Sequence, residues 1–296
     1  MIGNSRLHWA WIKRNIDDDG DDSGNNSGNG DGNDGGKEGD RLPKFPFTIQ
    51  RTWDTQHFKA QETTPETAPE TTQQRVGSEL EKILDFLATN QPAFVIASVV
   101  PSQTSHWQSY PNAKTLTLDD ITLTHLYPTL GIDRALAVLG AWCQWQRPVL
   151  VIDGGTALTF TGVNRNGQLI GGAILPGLGL QLRSLHQHTA ALPHTWLQEG
   201  QIPRWSNTTP GAIRSGIWYT LLAGIRGFIQ DWYTQFPDSA IVFTGGDGAL
   251  FHRALQSKLT GSAEQVEQAE LINPILVYDP HVIFKGMAIA SKPPLE

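Results

Sequence analysis

Residues Val149–Pro193 read VLVIDGGTALTFTGVNRNGQLIGGAILPGLGLQLRSLHQHTAALP. The apolar run Val149–Ile152 has the length and composition of a buried strand. Asp153, Gly154, Gly155 and Thr156 follow at once. Asn166-Gly167 lies between two further strand-like runs and predicts a tight hairpin turn. Gly171-Gly172 and Pro176-Gly177 are read as ending the third run. Glycines at strand ends let backbone approach a ligand closely. An Asp and a Thr beside them offer a cation ligand and a hydroxyl. The stretch fits a phosphate held by turn amides with a cation nearby; a plain β-meander with glycine turns fits it too.

Outward from this stretch, strand-like and helix-like segments alternate. Gly131 leads into a helix from Ile132 to about Gln146. Thr209-Pro210 predicts the start of a long helix to about Phe236, with Thr209 as cap and Pro210 at the first helical position. Ile241–Phe243 and Ile275–Tyr278 read as strands, and Ala249–Lys258 and Val282–Ala290 as helices. Toward the start, Leu7, Trp9 and Trp11 share one face at period two, and Phe47–Trp53 resumes as a strand. Ser78 with Glu81 predicts a capped helix ending at Asn90-Gln91-Pro92, and Ala93–Val100 a buried strand closed by Pro101. An irregular polar stretch is expected after it. The class is therefore α/β.

The start, Met1-Ile2-Gly3-Asn4-Ser5, resembles Asp153-Gly154-Gly155-Thr156, each turn preceding a strand. Gly3 superposes on Gly155, and Met1 then falls on Asp153. Two related halves are expected, residues 1–146 and 147–296, with a cleft between them that suits a nucleotide.

The 296 residues include an acidic Gly/Asn/Asp segment, 16–42, expected to be a disordered insertion, and a Pro/Thr/Glu-rich flexible linker at 61–74. Asp17–Asp40 holds nine acids and one lysine, a formal −8 against −7 for the whole chain, so the remainder is near neutral. That balance gives no sign of nucleic-acid binding. One cysteine, Cys143, excludes an internal disulfide framework and a multi-Cys zinc site. No apolar run is long enough to span a membrane, and no secretory leader is evident, so a soluble cytoplasmic protein is expected.

Phosphoryl transfer needs donors for the phosphates, cations to offset their charge and a base for the accepting hydroxyl. No G-x-x-x-x-G-K-[ST] occurs, which excludes a P-loop, and H-E-x-x-H and G-x-S-x-G are also absent. Asp133 is the candidate base: it follows Gly131 at a helix start, where an ionised carboxylate is favoured. Arg134 beside it offers an anion site. The same pair is also what an ordinary N-cap with a surface arginine looks like.

Taken together, these motifs resemble the type III pantothenate kinases, in the actin-like ATPase superfamily. Gly3, Asn4 and Ser5 match a D-x-G-N-[TS] phosphate turn; Gly131, Asp133 and Arg134 match G-x-D-R. Asp153, Gly155, Thr156, Ala157 and Thr159 complete D-x-G-T-A-x-T, and Gly171, Gly172, Ile174, Pro176 and Gly177 complete G-G-x-I-x-P-G. Thr209, Ala212, Ile213, Ser215 and Gly216 match N-T-x-x-A-[IM]-x-S-G, and Thr244-Gly245-Gly246-Asp247 resembles the turn near the adenosine.

The resemblance implies two tandem actin-like (ribonuclease H-like) domains that phosphorylate pantothenate to 4′-phosphopantothenate, at the start of coenzyme A synthesis. It implies Asp133 as general base, with Gly131, Ile132, Arg134 and Thr209 on pantothenate. It places ATP against Gly3, Asn4, Ser5, Arg6, Gly155, Thr156, Gly245 and Gly246. Asp153 would hold a monovalent cation, K⁺ or NH₄⁺, beside Mg²⁺, and the assembly would be a homodimer. The chain departs from the pattern at Met1, where the family turn begins with Asp, at Thr208, where the family has Asn, and in a short spacing from Tyr127 to Gly131. A degenerate nucleotide-binding homologue and a kinase for another small hydroxyl compound are the alternatives.

Overall fold

The computed structural model describes residues 1–3, 7–14, 47–55, 86, 89–90, 92–108, 110–197, 200–259 and 275–291. The insertion expected at 16–42, the linker at 61–74, most of the helix from Ser78, and Asn4, Ser5 and Arg6 lie outside them.

The second half is built on a five-stranded sheet. Its strands are β5 (Val149–Gly154), β6 (Ala157–Val163), β7 (Leu169–Pro176), β8 (Ala240–Thr244) and β9 (Ile275–Tyr278). Their order is β7-β6-β5-β8-β9. β5–β6 and β6–β7 pair antiparallel, whereas β5–β8 and β8–β9 pair parallel. The hairpin turn falls where Asn166-Gly167 predicts it. The Asn164 carboxamide oxygen accepts from Asn166 N and Gln168 N at 2.9 and 3.1 Å.

Alternating residues of β5 bury on opposite faces. Val149 and Val151 pack with α2 (Ile132–Trp145) and α6 (Val282–Ala290). Leu150 and Ile152 pack with α3 (Leu178–Gln187), α4 (Thr209–Gln235) and α5 (Gly248–Leu259). A sheet covered on both faces explains the continuous apolar run of β5.

The first half repeats this order on a smaller scale. β1 (Leu7–Arg14) pairs antiparallel with β2 (Phe47–Thr55), and β3 (Phe94–Ile96) pairs parallel with β4 (Ala113–Thr115). Ile2 joins them, bridging Leu7 antiparallel and Ser98 parallel. Its N–H donates to Ala97 O at 2.6 Å, and its carbonyl accepts from Val99 N at 3.1 Å. Residues 1–3 thus hold the place that β5 holds in the second half. The half-repeat read from two glycine turns is a repeat of strand order.

Several expectations change. The buried strand expected over 93–100 shrinks to β3 and a single bridge at Ser98. Pro101 opens α1 (Pro101–Gln108) inside the stretch expected to be irregular, because Pro needs no N–H partner at a helix start. Gly171 and Gly172 lie inside β7 instead of ending it. α3 follows Gly177, although the sequence reading placed no helix there. The cap of α4 is Thr208, whose Oγ1 accepts from Gly211 N at 3.3 Å, and Thr209 is already helical.

Candidate active site

Asp153 lies next to the end of β5 on the face carrying α2, level with Thr159 of β6 and Thr244 of β8. Three turns meet there. Gly155 N donates to Ala157 O at 3.0 Å, Gly177 N to Thr156 O at 2.9 Å and Asp247 N to Gly154 O at 2.8 Å. Gly245 has φ +80, and a Cβ on it would run into Asp153 Oδ1 and the Gly154 carbonyl. Only glycine satisfies both the left-handed backbone and the close approach. Thr156 and Gly246 stand exposed beside this group.

Asp133 enters from α2, in its first turn after Gly131. Its Oδ1 accepts from Arg134 N at 2.8 Å. Burial, then the negative charge of Asp133, pushes the Asp153 carboxyl up to about 6. Burial alone raises that of Asp247. Two carboxylates in one partly desolvated crevice disfavour each other's ionisation and favour a cation between or beside them. Oxygen donors suit a hard cation. No group of three or more His, Cys, Asp or Glu comes together among the described residues. A cation here would complete its shell with backbone or hydroxyl oxygens, water or phosphate.

Arg134 is 7% exposed. Its Nε donates to Thr161 Oγ1 at 3.0 Å, Nη2 to Phe160 O at 3.0 Å and Nη1 to the Tyr127 hydroxyl at 2.8 Å. Every acceptor is neutral, and among the described residues no carboxylate forms an ion pair with it. Three of five N–H donors are used, leaving one on each terminal nitrogen. A buried cation without a counter-charge is costly, and an anionic ligand would relieve it. Tyr127 reaches this group despite its short spacing from Gly131. Sequence reasoning missed Thr161, which no spacing rule marks.

The other expected residues are more dispersed. The Ile132 side chain is buried in the core. Thr209 is exposed at the start of α4, with no hydrogen bond to the Asp133–Asp153 group. Gly3 follows the Ile2 bridge and is half-buried.

A family model described as type III pantothenate kinase matches residues 48–231. The chain belongs to the type III pantothenate kinase family. A type III pantothenate kinase of Nostoc sp. is 38% identical over 97% of this chain and 91% of the relative. One of Synechocystis sp. is 38% identical over 97% and 87%. One of Synechococcus elongatus is 48% identical over 57% and 71%. The type III pantothenate kinases are phosphotransferases, so membership implies ATP as donor with a divalent metal. No helix among the described residues is long and apolar enough to cross a membrane.

The raised Asp153 pKa gives a stability prediction. Below about pH 3 the carboxyl is protonated folded and unfolded alike. Between the unfolded value, 3.8, and about 6 the folded state binds more protons, so stability falls as pH rises through that window. The loss approaches about 3 kcal/mol above it. Asp153→Asn is therefore expected to raise the melting temperature at pH 8 without ligands or K⁺, and to change little at pH 4. Thermal unfolding at both pH values checks this; equal melting temperatures at pH 8 would refute it.

Proposed function

We propose that the chain transfers the γ-phosphate of ATP to the primary hydroxyl of pantothenate, giving 4′-phosphopantothenate, the first step of coenzyme A biosynthesis. The observation that carries this reading is the pairing at the start of α2. The charge of one carboxylate, Asp133, is felt by Asp153 at the turn cluster, and beside it a buried guanidinium has no counter-charge among the described residues.

Asp133 takes the hydroxyl proton as the oxygen attacks the γ-phosphorus. The substrate carboxylate meets the two remaining N–H donors of Arg134, a bidentate geometry suited to guanidinium. Gly131 leaves room beside the Asp133 carboxylate, since a Cβ there would meet Oδ1. Ile132 contributes backbone only. Thr209 orients pantothenate from the start of α4.

The turn amides around Gly155, Thr156, Gly245 and Gly246, with Gly3, Asn4, Ser5 and Arg6 from the first half, hold ATP. Asp153 would hold a monovalent cation, K⁺ or NH₄⁺, which with Mg²⁺ would supply neutralisation of phosphate charge. The two lobes divide after Gln146, the enzyme is a cytoplasmic homodimer, and no nucleic acid or membrane takes part.

The test is ADP release by the purified chain with ATP, Mg²⁺ and pantothenate, with and without K⁺. Pantothenate-dependent ADP release stimulated by K⁺ is expected. Turnover no greater than the ATPase background under both conditions would refute the reading and favour a nucleotide-binding homologue without turnover.

A further inference from the structure

Arg134 is held by two consecutive acceptors on one strand. The Phe160 carbonyl takes Nη2, and the Thr161 hydroxyl takes Nε, both at 3.0 Å. Together they grip one edge of the guanidinium plane. Thr161 is 2% exposed and makes no other side-chain hydrogen bond among the described residues. β7 passes alongside at Gly172, where a Cβ would strike both Phe160 O and Arg134 Nη2. The guanidinium therefore lies in a slot of fixed width, and among the described residues the Thr161 hydroxyl is the one side-chain acceptor the sheet supplies to it.

We propose that Thr161 is a positioning residue for pantothenate: it fixes the roll of the Arg134 guanidinium so that the two unused N–H donors face the substrate carboxylate. This rests on the reading that Arg134 receives that carboxylate. Thr161 touches neither substrate nor the reacting atoms. Its effect passes through a rigid fork whose hydrogen bonds are directional. Valine is close to threonine in volume and also suits a buried strand, but it leaves Nε–H against a methyl group. An unsatisfied charged donor in a site closed to water moves to recover a partner, and the donor pair moves with it.

The experiment compares the wild type, Thr161→Val and Thr161→Ser. Steady-state kinetics use pantothenate and pantothenyl alcohol, in which CH₂OH replaces the carboxylate, and calorimetry measures pantothenate binding independently of turnover. Thr161→Val is expected to raise the pantothenate KM and Kd about tenfold. The ATP KM should stay within about twofold, and the alcohol's KM should be unchanged. Thr161→Ser keeps the acceptor and should match the wild type.

An unchanged pantothenate KM and Kd in Thr161→Val would overturn the proposal. So would an equal rise for the alcohol, or a serine variant as impaired as the valine one, since either would mark a packing role. A wild type that does not prefer pantothenate over the alcohol would refute the Arg134 reading itself, and the Thr161 role with it.

Discussion

Asp133→Asn is expected to lower kcat by about 10²–10⁴-fold while the protein stays folded. Asparagine has the same shape, and its Oδ1 can still accept from the Arg134 N–H now bonded to Asp133 at 2.8 Å. The first turn of α2 is therefore kept. Lost is the ability to take a proton. A second readout separates this role from a structural one. The charge of Asp133 is the second cause of the raised Asp153 pKa, after burial. Removing it should lower the Asp153 pKa, which a carboxyl-selective NMR titration can follow. Retained turnover would assign the base elsewhere. An unmoved Asp153 would show that the two carboxylates do not sense each other.

Gly140→Ala is expected to destabilise the fold by about 2–4 kcal/mol, roughly a 5–10 °C fall in melting temperature. α2 and α6 cross at Gly140 and Gly286. A Cβ on Gly140 would meet Val282 O and Gly286 N, and a Cβ on Gly286 would meet Leu136 O. These neighbours are backbone atoms that cannot rotate aside. Alanine gains up to about 1 kcal/mol of helix propensity over glycine, but the helices must separate to admit it. Separation loosens the core of Leu136, Leu139, Val282 and Met287, all buried. Because Asp133 lies in the first turn of the helix that shifts, kcat should fall too. An unchanged or higher melting temperature would show that the crossing tolerates a methyl group.

Legibility in the sequence followed the strength of the periodic signal. β5, β9 and α6 fall where the sequence predicts them, because their apolar patterns match the faces they bury. α1 reads PSQTSHWQ and has no apolar stripe. It is held partly by a side chain, since Thr104 Oγ1 donates to Ser98 Oγ at 2.6 Å. α3 carries a legible stripe at Leu178, Leu182 and Leu185, but Pro176-Gly177 just before it is equally a turn signal. The Thr208 cap was missed because Thr208 and Thr209 are adjacent and either can serve.

By itself the sequence determined the alternation of elements, and it marked the half-repeat and Asp133, Arg134 and Asp153 as candidates, because each rests on local pattern or motif spacing. Only the tertiary structure decided what those residues face. Gly245 closes on Asp153 across parallel strands some 90 positions apart in the chain. Arg134 is pinned by β6 to Thr161, 27 positions away. Burial and the proximity of two like charges arise when distant segments pack. They turn an ordinary Asp-Arg at a helix start into an acid pair beside a buried cation that has no carboxylate partner among the described residues.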